Sequence, residues 1–204
     1  MLSCMSRTLV LVLLVCGGLC VADQSPADQS PADQSRADQS RADQSGIWLD
    51  VPFIKQEKDG CGAASIAMVM QYWRRHQGRA DDPRADAARI QSALYSRNAH
   101  GIYASDMERY FQENGYRTFA FRGEWSDLKQ HLARGRPLIV ALKPGSRVPL
   151  HYVVVTGLDS EHGIVLMNDP AQRKLLKEDR SKFGHEWGAA ERWTLLAVPE
   201  NGSR

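Results

Sequence analysis

The spacing of apolar residues divides the chain into a helical part followed by an extended part. Apolar residues at intervals of three to four predict helices at about 61–74, 85–94, 105–115 and 127–133. The first follows the turn signal Asp59-Gly60. The third and fourth open with capping signals, at Ser105 with Glu108 three residues on, and at Ser126. Cys61 is therefore expected in the first turn of a helix.

Runs of β-branched and other apolar residues between Gly, Pro and Asp indicate strands. The predicted strands are 116–121, 137–142, 151–158, 163–167 and 193–198. Helices come mainly before strands, which is typical of the α+β class, with N-terminal helices packed on a mostly antiparallel sheet. In such a domain Cys61 and His151 come from different layers and face each other across the cleft between them.

The first 22 residues have the pattern of a secretory signal peptide. A single basic residue, Arg7, precedes an apolar stretch from Leu9 to Val15 and a small-residue exit at Ala22. The apolar stretch is shorter than the roughly 20 residues that span a bilayer. We therefore expect an exported protein, periplasmic or extracellular. Acylation of Cys16 or Cys20, or retention of the leader, would instead anchor it to a membrane.

Residues 23–45 form a low-complexity linker. The unit Ala-Asp-Gln-Ser, followed by Pro or Arg, repeats through this stretch and contains no aromatic or branched apolar residue. Such a segment cannot bury enough surface to offset the entropy of ordering, so it is interpreted as a flexible tether. Residues 46–204 then make one domain, which is long enough to build its own core.

Charge and cysteine content narrow the classes of function. The chain has 26 basic and 24 acidic residues, and the basic ones are dispersed, so nucleic acid is not an expected partner. Three of the four cysteines lie in the leader, which leaves Cys61 without an intramolecular disulfide partner. No CxxC or HExxH spacing occurs, so neither a metal nor another cofactor is expected. We expect a monomer that acts on a peptide or protein.

Cys61 stands where a nucleophile would be placed. The thiolate is the reactive form, and a helix N-terminus favours the anion because its N–H groups are unpaired. Gly62 is expected to leave room for a substrate backbone. Gln56, five residues before Cys61, could donate a side-chain N–H to an oxyanion. A buried cysteine that packs as a small apolar residue is the alternative.

His151 is the strongest candidate for the base. It precedes an apolar strand run, whereas the other five histidines lie in segments rich in charge or glycine. A base needs an acceptor that orients it. If residues 151–158 and 163–167 pair as a hairpin, His151 and Asp169 lie at its open end, while the competing Asp159 lies at the turn.

These residues resemble three blocks of the C39-like cysteine peptidases, which have the papain-like fold. The blocks are Gln56 with 59–64, then 151–155, then 168–170. The resemblance implies a Cys-His-Asp peptidase, with Cys61 as nucleophile, His151 as general base and acid, Asp169 as orienting residue and Gln56 as oxyanion donor. Founding members of the family cut bacteriocin precursors after a double glycine and are fused to a transporter and an ATPase domain.

Two features depart from that pattern. Gln56 is one residue nearer the cysteine than in the members compared, and the leader indicates export, whereas transporter-linked peptidases work on the cytoplasmic side. We therefore expect an exported stand-alone cysteine peptidase. A cell-wall amidase or acyltransferase on the same scaffold, and a non-catalytic peptide-binding module, are the alternatives. The loop 143–150 and the polar segment 171–186 are predicted to select the substrate.

Overall fold

The computed structural model describes residues 46–79 and 82–200. The predicted signal peptide and repeat linker lie outside the described residues. Within these ranges no helix has both the length and the apolar character needed to cross a membrane.

Five α-helices and seven strands make up the described chain. The helices are α1 Cys61–His76, α2 Ala87–Leu94, α3 Ala104–Glu113, α4 Trp125–Ala133 and α5 Arg180–Ala189, with a short 3₁₀ turn at Pro83–Ala85. The strands are β1 Ile47–Trp48, β2 Tyr116–Arg122, β3 Leu138–Leu142, β4 His151–Asp159, β5 Ile164–Asn168, β6 Leu176–Asp179 and β7 Trp193–Pro199. The predicted α+β class and the five predicted strands are confirmed.

All seven strands join one sheet in the order β2-β7-β3-β4-β5-β6, and β1 pairs with Gly157 and Leu158 near the end of β4. Every one of these pairings is antiparallel. The predicted hairpin is present, because Asp159 pairs with Ile164 and Val154 pairs with Asn168. A bulge between Val155 and Gly157 shifts the register of this hairpin by one residue.

Helices cover both faces of the sheet, which refines the predicted two-layer arrangement. On β4, Tyr152 and Val154 join the core beneath α1, whereas Val153 and Val155 join a second core that includes Leu128 of α4. This second core also holds Phe183 and Trp187 of α5. Because successive strand residues point to opposite faces, a strand buried on both sides has a continuous apolar sequence.

Helix α1 is the central helix of the domain. Ten of its sixteen residues are buried, and Ile66 and Met68 are completely inaccessible. Full burial of one such side chain stabilises a fold by about 1.5–3 kcal/mol. The buried hydroxyl of Ser65 donates to the carbonyl of Tyr152 at 3.4 Å, which attaches the helix directly to β4. The packing of α1 therefore fixes Cys61 relative to the sheet.

The two predicted capping signals are wrong. Helix α3 begins after Tyr103 without a side-chain cap, so Ser105 lies inside its first turn. Helix α4 begins one residue before Ser126, and its capping box is formed by Glu124 and Asp127. The Asp127 carboxylate accepts from the N–H of Glu124 at 2.8 Å, and an acidic side chain is the stronger acceptor for a backbone donor.

The helix α5 and the strand β6 were not predicted, because the segment 171–186 is too polar to show a clear period. The helix begins behind Asp179, whose carboxylate accepts from the N–H of Ser181 at 2.8 Å. Phe183 and Trp187, four residues apart, then face the second core. The sequence does contain a signal for this helix: a capping residue, Asp179, is followed by two aromatic residues at helical spacing.

Ile66→Ala should lower the free energy of unfolding of the domain by about 2–5 kcal/mol, because the truncation leaves a cavity under α1. The matched variant Ile66→Val should cost only about 0.5–1.5 kcal/mol. Urea unfolding followed by circular dichroism measures both. Equal stabilities for the two variants would contradict the proposed packing of α1.

Candidate active site

Cys61 is the first residue of α1, as predicted. Gly60 is its N-cap residue, and the helix start has neither a side-chain cap nor an acidic residue in the first turn. The unpaired N–H groups of this turn are thus available to an anion. Cys61 is a free thiol and is partly buried at the edge of the core beneath α1. This position holds the Cys61 backbone against the core without burying the residue completely.

The turn before Cys61 depends on close backbone packing. Asp59 adopts a left-handed conformation with φ of 56°, and a Cβ at Gly60 would lie 3.0 Å from the carbonyl oxygen of Glu57. The expectation for Gly62 is wrong. A Cβ at Gly62 would lie 3.1 Å from the Cβ of Ile102, so this glycine allows an internal side chain, not a substrate backbone, to approach α1.

His151 and Asp169 meet at the open end of the β4–β5 hairpin, as predicted. His151 is the first residue of β4 and Asp169 directly follows β5. The Nε2 atom of His151 lies 2.7 Å from Oδ1 of Asp169. The histidine side chain is 21% exposed and the aspartate side chain 5%. The imidazole therefore borders solvent while its carboxylate partner is enclosed.

The nitrogen of His151 that contacts Asp169 is Nε2. Burial alone would lower the pKa of His151, but hydrogen bonding to Asp169 and Cys61 and the negative charges of both groups raise it to about 9. The raised pKa favours the protonated imidazole beside the Asp169 carboxylate.

Asp169 is kept ionised by three donors. Its burial would raise the pKa of the carboxyl group, but His151, the N–H of Ala171 and the side chain of Gln172 together hold that pKa below the ordinary value. The Ala171 N–H lies 2.9 Å from Oδ1, and Nε2 of Gln172 lies 2.6 Å from Oδ2. An ionised carboxylate in this position fixes the tautomer and orientation of His151.

Gln172 was predicted only as part of a substrate-selecting segment, and the structure places it on Asp169 instead. Its N–H closes a turn by donating to the carbonyl of Asp169 at 3.0 Å. That turn explains why the side chain returns to the carboxylate. The sequence signal is an amide residue three positions after the aspartate of an Asp-Pro pair, where a turn brings the two side chains together.

Asn168 fastens the segment before the site to the sheet. Its buried side chain donates to the carbonyls of Val51 and Pro52, at 3.1 and 3.3 Å. Its Oδ1 accepts from the N–H of Leu175 at 3.0 Å. Three backbone groups from two loops therefore depend on this one amide, which lies next to Asp169 in sequence.

Gln56 lies on the loop before Cys61, and its N–H donates to the carbonyl of Pro170 at 3.0 Å. This bond ties the loop to the turn that carries Asp169. The Oε1 atom of Gln56 is buried and has no partner among the described residues. Gln56 borders a cavity of ≈ 220 Å³ together with Gly60, Ala64 and Gln91. Its assignment as oxyanion donor stays a prediction.

The competing acid, Asp159, is engaged elsewhere. Its carboxylate lies 2.8 Å from Nδ1 of His162, at the turn of the hairpin. The turn and the open end of the hairpin are separated by the length of β4. Asp159 therefore bonds to His162, and Asp169 bonds to His151. The prediction that His151 pairs with Asp169 and not with Asp159 is thereby confirmed.

A groove of ≈ 520 Å³ crosses the ends of four strands, and the two sequence neighbours of His151, Leu150 and Tyr152, line it. Lys143 and Leu150, the two ends of the predicted substrate-selecting loop, are among its lining residues. Others come from α3 and from β2, β3, β4 and β7: Ala104, Arg122, Ala141, Tyr152 and Trp193. The floor is largely apolar, and the groove is open to solvent along one side.

Comparison with known families identifies the class of protein. The sequence model described as the Peptidase_C39 like family matches residues 48–194. The chain belongs to this family. No curated protein matches the sequence.

Solved structures of similar fold agree with this assignment. A double glycine motif protease from an AMS/PCAT transporter, solved with its leader peptide, has a TM-score of 0.56 at 23% identity, over 74% of this chain and 94% of that chain. A C39-like peptidase from Bacillus anthracis has a TM-score of 0.60 at 17% identity, over 76% and 98%. The peptidase domain of Streptococcus ComA has a TM-score of 0.55 at 21% identity, over 75% and 98%. The papain-like fold is thereby confirmed.

Asn168→Ala should lower the free energy of unfolding by about 2–4 kcal/mol, since it leaves buried backbone groups unpaired. Gln112→Ala is the matched control. It also removes an amide, but one that donates to Thr118 at the surface, at 2.7 Å, and it should cost less than about 1 kcal/mol. Urea unfolding compares the two, and a small loss for Asn168→Ala would contradict the role given to its three bonds.

If the imidazolium of His151 is the working form, peptide-cleaving activity should fall on the alkaline side with a midpoint near pH 9, because the pKa of His151 is raised to about 9. Asp169→Asn should move that midpoint to lower pH, since the carboxylate charge no longer holds the proton. It should also lower kcat/KM by about 10²–10⁴-fold. The measurement is kcat/KM against pH.

Asp159→Asn is the control for this pH profile. It removes the same charge from the same hairpin, but at the turn, where the carboxylate bonds to His162. Its profile should match that of the unaltered protein. If Asp169→Asn has the same alkaline midpoint as the unaltered protein, His151 is not the group that titrates.

Proposed function

We propose that the protein is a cysteine peptidase that hydrolyses peptide bonds through Cys61, His151 and Asp169. One observation carries the proposal: the imidazole of His151, whose pKa is raised in part by Cys61 at the start of α1, is bonded through Nε2 to the enclosed Asp169 carboxylate. The family and the papain-like fold support it, because both belong to thiol peptidases. Further support comes from the position of Cys61 at the start of the buried helix α1 and from the open groove lined by Leu150 and Tyr152, the sequence neighbours of His151.

In the first half of the reaction, the thiol proton resides on His151 and the Cys61 sulfur attacks the carbonyl carbon of the bound peptide. A C–S bond forms, and the carbonyl oxygen takes the negative charge. The N–H groups at the start of α1 are suited to stabilise that oxygen, and Gln56 would add a side-chain donor. His151 then gives its proton to the leaving amine as the C–N bond breaks, which leaves an acyl-enzyme.

In the second half, water replaces the amine. Neutral His151 removes a proton from the water as its oxygen attacks the thioester carbon. The C–S bond breaks, the carboxylic product leaves, and the proton on His151 restores the starting pair with the Cys61 sulfur. Asp169 holds the ring in one orientation throughout and stabilises its charged form. The water can reach the imidazole because His151 borders solvent.

We infer that the enzyme acts on peptides outside the cytoplasm, since the leader pattern of residues 1–22 is that of an exported protein. The AMS/PCAT protease of similar fold was solved with a leader peptide, which supports a peptide of that kind as the first substrate to try. We propose a monomer, in which the repeat of residues 23–45 tethers the domain and the leader, if acylated or retained, attaches it to a membrane.

Replacement of Cys61 by Ala should abolish both peptide hydrolysis and covalent labelling by a peptidyl chloromethyl ketone, while the unfolding free energy stays close to that of the unaltered protein. Mass spectrometry of the labelled protein and a comparison of new peptide termini in a cell-envelope extract measure the two effects. Persistent labelling or unchanged termini in the variant would show that Cys61 is not the nucleophile.

Purified peptidoglycan fragments serve as the second substrate in the same assay. Release of amino acids from these fragments, without cleavage of ordinary peptides, would make the protein a cell-wall amidase on this scaffold. Binding of peptides without any turnover would instead favour a peptide-binding module. The ionised, fully bonded Asp169 favours turnover, because a module that only binds has no use for an oriented base.

A further inference from the structure

Tyr152 combines a rigid ring with a position beside the reaction centre. It follows His151 on β4, and its side chain lies on the α1 side of the sheet. The residue is 8% exposed. Its ring packs edge-on against Trp193, with ring centroids 5.4 Å apart, and its carbonyl accepts the hydroxyl of Ser65. Backbone and ring are therefore fixed from two sides.

The hydroxyl of Tyr152 differs from those of the other buried tyrosines. The hydroxyl of Tyr72 donates to the carbonyl of Gly135 at 2.8 Å, and that of Tyr116 to the carbonyl of Met70 at 3.5 Å. Within residues 46–79 and 82–200, the Tyr152 hydroxyl has no such partner, and Tyr152 lines the groove of ≈ 520 Å³. Its hydroxyl is not among the buried polar atoms of these residues that lack a partner, so it is accessible to a molecule bound in the groove.

The hydroxyl of Tyr152 stays protonated near neutral pH. Burial and the negative charge of Cys61 raise the pKa of Tyr152 to about 12. A phenol of this kind cannot serve as a base near neutral pH, but it is a permanent hydrogen-bond donor. The groove has a largely apolar floor, so the hydroxyl is one of its few directional groups.

We propose that the Tyr152 hydroxyl binds the substrate by donating a hydrogen bond to a backbone carbonyl of a peptide lying in the groove that Tyr152 lines. An extended peptide presents one carbonyl every ~3.3 Å whatever its side chains, so this donor recognises the chain itself. When the peptide displaces water from the groove, the hydroxyl is left with the peptide carbonyl as its acceptor. This inference rests on the proposed function, since it needs a peptide at Cys61.

Tyr152→Phe is the direct test, because it removes one oxygen and keeps the ring against Trp193. Binding is measured in the Cys61→Ala background by fluorescence anisotropy, so that no turnover is required. The probe is a pool of fluorescent decapeptides with a central Gly-Gly and apolar flanks, and the tightest binder is carried forward. Loss of one neutral hydrogen bond should weaken its binding by about 3- to 10-fold.

Tyr72→Phe is the matched control, because it removes a hydroxyl from a buried tyrosine that bonds inside the fold, away from the groove. It should lower the stability of the domain and leave peptide affinity unchanged. Equal affinity for peptide in Tyr152→Phe and its parent would overturn the inference. Failure of every decapeptide to bind would overturn it as well.

A second experiment separates direct contact from a change in groove shape. Each backbone carbonyl of the chosen peptide is replaced in turn by a thiocarbonyl, which is a poorer acceptor. At one position the substitution should weaken binding to the parent protein but not to Tyr152→Phe, since the two changes remove the same bond. Equal losses in both proteins at every position would mean that the hydroxyl makes no bond to the peptide.

Kinetics distinguish this inference from the proposed function. In the protein with Cys61 intact, Tyr152→Phe should raise KM by the same 3- to 10-fold with little change in kcat, because the bond is made in the bound substrate and kept in the transition state. A fall in kcat alone would overturn the binding role. Absence of peptide hydrolysis by the unaltered protein would contradict the proposed function. The binding measurements would still decide whether the Tyr152 hydroxyl binds peptide.

Discussion

The hydrogen bond between His151 and Asp169 joins the two ends of one hairpin, and the organisation of the site depends on it. It lies where β4 begins and β5 has just ended, so antiparallel pairing alone brings the two side chains together. Because α1 is fastened to the same strand through Ser65, Cys61 is held near enough to the imidazole to raise its pKa. The loop of Gln56 is held by the turn after Asp169. Helix, strand and loop thus converge on one buried carboxylate.

The charges of the site also couple it to folding. The pKa of His151 is raised from 6.5 to about 9, so its pairing contributes stability that is complete below about pH 6.5 and is lost as the pH rises through 9. The pKa of Asp169 is lowered, so its contribution is present above the ordinary carboxyl range and is lost as the pH falls. Between these limits the same interactions that prepare the thiol also hold β4 and β5 together.

Much of this site was predictable because it rests on local rules. The start of α1 at Cys61 was predicted from the turn signal Asp59-Gly60. The meeting of His151 and Asp169 was predicted from the pairing of two apolar strands. The role of Gln172 was not predictable in the same way, because it depends on a turn that returns a side chain to Asp169. The prediction that Gly62 leaves room for a substrate backbone was wrong for a related reason. A glycine beside a nucleophile suggests access, but only the packed structure shows that Ile102 occupies the space.

The hairpin's short turn and its bulge have an evolutionary consequence. Asp159 pairs directly with Ile164, and the bulge before Gly157 sets the phase of the strand beyond it. Since a strand alternates its faces residue by residue, an odd insertion between the base and its orienting acid would turn one of them away. Length variation among relatives should therefore be tolerated in the 143–150 loop, outside the hairpin, while the interval from His151 to Asp169 remains nearly constant. The spacing itself, as much as either residue, is what natural selection would have to preserve.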